Sequence, residues 1–263
     1  MKVDYKAFLP ALLSGLAFVG LWYGLIAWFD ISPFFLPPFH AVIEALWEEG
    51  PRLLAACWVT ARYGLAGLGL AVVVGVALSV FLCLSRVLRQ AFYPWVLLVQ
   101  MTPVVIFAPI IVLWFDYGAA SVVTITFITS FFPVVANTTF GLVSAEPALV
   151  DCLRLYGARR WQELWVLRIP HALPSMINGV RIAATLVPIG AVFGEFFVGS
   201  FEGGRGGLGL LVFIYNKQTR IPELFAVGMV ACLLGFVLVM AIQGLNRWLL
   251  HRWHESYAPH NRE

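Results

Sequence analysis

Leu65-Ala66-Gly67-Leu68-Gly69-Leu70-Ala71-Val72-Val73-Val74-Gly75-Val76-Ala77-Leu78-Ser79-Val80-Phe81-Leu82-Cys83-Leu84 carries neither a charge nor a proline. A helix of about 20 such residues covers the roughly 30 Å of hydrocarbon in a bilayer. In hydrocarbon every backbone amide needs a partner within its own segment, so a run this long spans as a helix. Extended upstream, the run covers 58–84. Working outward, 8–29, 93–115, 119–140, 173–198 and 224–250 also qualify, which predicts an all-α integral membrane protein with six crossings. Composition agrees: 61% of the 263 residues are hydrophobic and 12% charged, against about half and about a quarter in a soluble domain.

The small net charge of +3 is too scattered for nucleic acid. Its placement sets orientation. An inside N-terminus puts Lys2, Lys6, Arg86, Arg89, Arg154, Arg159, Arg160, Arg168, Arg181, Arg247, Arg252 and Arg262 on the cytoplasmic side. Only Arg52, Arg62, Arg205, Lys217 and Arg220 fall outside, a bias of twelve against five. Both termini are then cytoplasmic. The first run is too long for a signal peptide and lacks a small-x-small cleavage site, so it reads as an uncleaved span. Cys57, Cys83, Cys152 and Cys232 show neither metal spacing nor a small-domain disulfide pattern and read as packing residues.

Between the first two spans, Phe39, Val42, Ile43, Leu46 and Trp47 form one helical stripe, with Glu44, Glu48 and Glu49 largely off it. The segment 36–57 reads as an external amphipathic helix on the membrane surface with a packing role. On the cytoplasmic side, 141–172 is too polar to span and too long for a bare turn. Ala148 to Tyr156 has a short helical pattern, Gly157 is placed to end it, and a second helical piece from Arg159 to Arg168 is expected to stop at Pro170. The chain thus divides into a tail and first span (1–35), the external helix (36–57), a core of 58–253 carrying the 141–172 loop, and a cytoplasmic tail (254–263).

The stretch Asp151-Cys152-Leu153-x-x-x-Gly157, followed nine residues later by Leu167-Arg168-Ile169-Pro170, resembles the EAA loop of binding-protein-dependent ABC importer permeases. Gly157 and Pro170 match in identity and spacing; Asp151, Leu167 and Ile169 match in type; Cys152 and Leu153 depart from the family's two alanines. Thr60-x-Arg62-Tyr63-Gly64, Thr102-Pro103 through Ala108-Pro109, Ala172-Leu173-Pro174, Gly179-Val180-Arg181 and Gly207-Leu208-Gly209 resemble the nitrate/sulfonate/taurine-type branch. The Gly190 to Phe196 stretch is more similar to members associated with thiamine-pyrimidine precursors or flavin-like heterocycles.

The resemblance implies a type I importer permease in a bacterial inner membrane. Two copies pair, each docks a cytoplasmic ABC ATPase through the EAA helix, and an external binding protein delivers a small polar solute. Asp151, Cys152, Arg154, Leu155, Gly157, Ala158 and Arg159 would form the coupling surface. The chain would carry no cofactor of its own, with ATP and magnesium on the partner.

Gly204-Arg205-Gly206-Gly207-Leu208-Gly209 fits a G-x-G-x-x-G string, but it follows a span rather than a strand, and no G-x-x-x-x-G-K-[ST] occurs. Its glycines read as a tight turn with close helix contact. Glu195 is an acid late in the fifth run, where charge is expensive. It is either a pathway residue, a buried partner for another polar group, or a residue near the outer interface. Gln100, Thr102 and Asn137 are further pathway candidates, although polar groups in spans more often tie helices together. An ATP-independent transporter would call for more intramembrane charges. An intramembrane enzyme would call for a serine–histidine or H-E-x-x-H arrangement, whereas His40, His171, His251, His254 and His260 all fall in loops or tails.

Overall fold

Gly67 lies against Thr126, Gly75 against Val134, Gly190 against Thr126 and Gly179 against Asn137, and these contacts set the register of the three central helices. The computed structural model describes residues 5–101, 103–199 and 206–250. Helix α3 (Gly50–Leu84) and helix α6 (Ala119–Val143) run parallel, and α9 (Ile169–Val198) runs antiparallel to both. Small residues at the crossings let the backbones approach, which drives helix association where lipid supplies no hydrophobic incentive. Hydroxyls add ties: Ser79 Oγ donates to Val135 O at 3.1 Å, and Ser130 Oγ to Ala183 O at 3.5 Å.

Around this centre pack α1 (Tyr5–Phe29), α2 (Phe39–Glu48), α4 (Arg86–Met101), α5 (Val104–Phe115), α10 (Leu208–Lys217) and α11 (Ile221–Leu250). Two short elements complete the chain, α7 (Pro147–Leu155) and α8 (Arg160–Glu163), the latter followed by a π-helical turn over Leu164–Arg168. Among the described residues, five helices are long and apolar enough to cross a membrane. The third apolar run instead forms two shorter helices, α4 and α5. Pro103 sits between them at φ −70°, ψ 95°, outside the helical region, and it has no N–H to continue the ladder. Together the two pieces return the chain from the Leu84 end to the Ala119 end.

Pro170 has the opposite outcome. The helical piece after Arg159 does not stop there but runs on through α8, the π turn and α9 as one apolar stretch, Arg160–Val198, of 39 residues. Ile169 N–H donates to Leu164 O, five residues back, and this wider turn makes room for the proline ring and its missing donor. The external helix is also shorter than expected. It ends at Glu48, and α3 starts at Gly50 with Pro51 in its first turn, eight residues before the predicted span. Its packed face is Val42, Ala45 and Leu46, while Ile43 and Trp47 are exposed, so the inward stripe is rotated from the predicted one. The sequence pattern gave no sign of α10, whose ten residues are too few to span. Leu208, Leu211 and Tyr215 of α10 pack with α2, α3 and α11 at the end of the bundle opposite α7.

Candidate functional site

Val150 is buried and anchors α7, but Leu155 and Tyr156 at its C-terminal end are 89% and 88% exposed, with Leu149 half exposed beside them. Asp151, Cys152, Arg154, Gly157 and Arg159 are exposed as well, and Ala158 is half-buried. The chain leaves α7 through Gly157 at φ +77°, where its N–H donates to Arg154 O at 2.9 Å and Ala158 N–H donates to Leu153 O at 3.0 Å. No atom lies near enough to contact an added Cβ there, so the glycine is required by its left-handed backbone alone. Gln162 Oε1 then accepts the Arg159 N–H at 2.8 Å and starts the next helix.

A single buried carboxylate fixes this elbow to the bundle. Glu163 is 4% exposed. It accepts from Arg168 Nε at 2.6 Å and from Arg154 Nε at 3.2 Å, and both guanidiniums pair with it as salt bridges. Arg168 Nη1 also donates to Leu142 O at 2.9 Å, and Arg160 Nη1 to Leu84 O at 3.3 Å. The ends of α3 and α6, the elbow and the root of α9 are thereby joined in one node. Glu163 carries no signature in the sequence pattern. Its bond to Arg168 spans five residues, the periodicity of a π turn rather than the i,i+4 spacing expected of an α-helix.

The other end of the same continuous helix carries Glu195, which is fully buried. Thr60 Oγ1 donates to Glu195 Oε2 at 2.9 Å, and Gly209 N–H donates to the same oxygen at 2.9 Å. Leu208 N–H donates to Thr60 Oγ1 at 2.8 Å. Side chains from α3 and α9 thus satisfy two N–H groups that the first turn of α10 leaves without intrahelical partners. An added Cβ on Gly207 would collide with the carboxylate, and one on Gly209 with Val192 O. The described part of the glycine string therefore closes over a carboxylate rather than a phosphate. Oε1 has no hydrogen-bond partner among the described residues.

Nearby, Glu49 accepts from Arg220 Nη2 at 2.8 Å and from Tyr215 Oη at 3.0 Å, with Arg52 at 3.7 Å, joining the α2–α3 corner to the α10–α11 loop. The hydrogen bond from Arg220 holds the Glu49 carboxyl below its ordinary value of 4.5, with Tyr215 adding to the effect.

The other pathway candidates do not gather around Glu195. Asn137 Oδ1 accepts from Asn178 Nδ2 at 3.1 Å, and Asn137 Nδ2 donates to Pro133 O at 2.9 Å. That pair sits at the level of Gly179, about 24 Å along α9 from Glu195 at the helical rise. Gln100 is exposed on α4, and Thr102 lies outside the described residues. The hydroxyls of Thr126 and Thr129 bond backbone carbonyls of their own helix.

A family model described as "Binding-protein-dependent transport system inner membrane component" matches residues 67–255. The chain is 32% identical over 251 residues to the formylaminopyrimidine transport permease protein ThiX of Halalkalibacterium halodurans, covering 95% of this chain and 98% of that one. It is 36% identical over 171 residues to the riboflavin transport system permease protein RibX of Chloroflexus aurantiacus (65% and 62% covered), and 27% identical over 231 residues to the taurine transport system permease protein TauC of Escherichia coli (85% and 82%).

Proposed function

Because the chain belongs to the family of binding-protein-dependent transport system inner membrane components, we propose that it forms the solute path of an ATP-driven importer and is moved by a separate ATPase gripping α7. The exposed apolar tip of α7 carries this reading. Leu155 and Tyr156 project into solvent from a helix locked to the bundle by Glu163. An exposed apolar patch outside the membrane marks a protein contact, and a locked one transmits force. The α7 end is placed in the cytoplasm, in keeping with the arginine bias, with both termini on the same side. A second copy of the chain completes the path, and a binding protein delivers solute at the α10 end.

Mechanically, a push on Leu155 and Tyr156 rotates α7. The Glu163 node passes the rotation to α6 and to the 39-residue stretch Arg160–Val198, about 58 Å long at the helical rise. The far end of that lever is the Glu195–Thr60 junction holding α10, so displacement at the cytoplasmic face reaches the outer face through one helix. The solute is a small heterocycle of the pyrimidine or flavin kind. The relatives matching over most of this chain include a formylaminopyrimidine permease, and the taurine relative is less similar.

The test is co-purification. The tagged chain in mild detergent should bring down an ATPase detectable by mass spectrometry. Gly157→Val forces a β-branched residue into a left-handed backbone that costs L-residues about 1–2 kcal/mol or more. It should abolish ATPase retention while membrane insertion stays intact; normal ATP-driven uptake by this variant would refute α7 as the handle. The cognate binding protein should retain labelled formylaminopyrimidine or riboflavin and release taurine.

A further inference from the structure

Arg86, Arg89, Arg154, Arg160 and Arg168 converge on one cavity of about 470 Å³, at the corner where α3 hands over to α4 beneath the elbow. Glu163 is the cavity's one acid among the described residues. It is already shared by Arg154 and Arg168, and Arg86 and Arg89 form no salt bridge among the described residues. A positive-inside bias explains arginines on this face of the protein but not their convergence on a single concavity. Guanidiniums crowded this way repel one another and call for an anion.

A second cavity of about 530 Å³ adjoins the first and shares Arg89 and Val143 with it. Tyr93, Pro94, Phe140 and Val143 line it together with Gln90, Thr139 and Ser144, and most of its exposed wall is apolar. Arg89 therefore stands where a charged chamber opens into a greasy groove along α4 and α6. A soluble anion such as phosphate or a nucleotide would use the first chamber and leave the groove empty. A molecule with a phosphate head and an acyl tail uses both, and basic pockets between membrane helices on the cytoplasmic side suit such headgroups.

We propose that this paired cavity binds an anionic phospholipid of the inner leaflet, with the headgroup phosphate among the arginines and an acyl chain along Tyr93, Pro94 and Phe140. Bound there, the lipid neutralises the charge at the root of the elbow and steadies the node that carries the coupling movement. The site rests on the cytoplasmic placement of α7 proposed above.

Native mass spectrometry of the permease purified with its ATPase, titrated with phosphatidylglycerol or phosphatidylcholine, tests the assignment. Phosphatidylglycerol should bind at least thirtyfold more tightly, and Arg86→Ala with Arg89→Ala should bring the two lipids to nearly equal binding, a loss of roughly thirtyfold. In the unaltered protein, raising salt from low to molar concentration should erode the preference, a readout that depends on no variant folding well. Equal retention of both lipids, or an unchanged preference in the double variant, would overturn the proposal. So would thermal stabilisation by inorganic phosphate equal to that by the lipid, or lipid binding that appears only when the ATPase is stripped away. Orientation is read separately: exposed Cys152 should react with an impermeant maleimide in inside-out vesicles stripped of the ATPase and not in intact cells. Lipid preference with Cys152 labelled from outside would leave the pocket standing and overturn the topology, and with it the inner-leaflet source.

Discussion

Glu163 and Glu195 are both buried carboxylates at opposite ends of one continuous helix, yet they are held in opposite ways. Glu163 faces two guanidiniums, whereas Glu195 faces a hydroxyl and a backbone N–H and keeps one oxygen without a partner among the described residues. An ion pair bridging three elements resists being pulled apart, since separation strands buried charge. Hydrogen bonds from neutral donors to a carboxylate contribute about 1.5–3 kcal/mol each, less than is lost when a buried ion pair is broken, and release more readily. Under the proposed coupling, the end of the lever that an ATPase would push is thus locked, and the α10 end is latched. A coupling helix on a loose root would dissipate the push.

The strongest way to break this contrast is Glu163→Ala. Removing one member of a buried ion pair costs about 3–5 kcal/mol, and the half-exposed Arg154 argues for the lower end, near 3. Uptake should fall sharply, and denaturant unfolding in detergent should shift by about that energy. Near-normal uptake would mean that the elbow draws its rigidity from elsewhere. Gly207→Ala comes next. Its Cβ would collide with the Glu195 carboxylate, and overpacking of this kind costs about 1–3 kcal/mol. Hydrogen exchange should accelerate at the first amides of α10 and stay unchanged across α7. Acceleration at both ends would show that the two junctions are not separate.

Glu195→Gln sharpens the comparison with a smaller effect. Glutamine keeps an amide oxygen for Thr60 and Gly209, so stability should change by no more than about 1 kcal/mol. The same replacement at Glu163 removes the charge that two arginines need and should cost about twice that or more. Equal losses at the two positions, measured by thermal unfolding, would erase the distinction between lock and latch.

How far the sequence exposes these features follows from how local each one is. Spans and the α7 elbow declare themselves because hydropathy, a short periodic run and a stop glycine act within neighbouring residues. Prolines divide the outcome. Pro103 breaks its helix and Pro170 does not, because a π turn precedes Pro170, and nothing in composition distinguishes the two settings. The Glu163–Arg168 pair escapes periodicity for the same reason. Thr60 and Glu195 lie 135 residues apart, so their meeting depends on the packing of α3 against α9, which apolar runs alone do not specify. The ten residues of α10 are too short to register as a span, which left the role of the glycines over Glu195 hidden until the helix was in place.

Glu49 supplies the smallest and most discriminating test, because it sets an ion-paired lock beside the hydrogen-bonded latch at the α10 end. The hydrogen bond from Arg220 depresses its carboxyl below 4.5, so the contribution to stability is complete above about pH 4.5 and drains away as pH falls through the lower folded value. The side chains involved are partly exposed, which keeps the effect within about 1 kcal/mol. Acidifying the protein from pH 6 toward about 3 should loosen the α2–α10 corner, seen as faster exchange around Arg220 and the end of α10. Glu49→Gln should lower stability slightly at neutral pH and flatten that part of the acid response. If the variant retains the full response, Glu49 is not the titrating clasp, and the outer corner is held by the apolar contacts of Val42, Ala45, Leu208 and Tyr215. In that case the ion pairs that matter for rigidity are concentrated at the α7 end, and the division between a locked root and a latched tip becomes sharper.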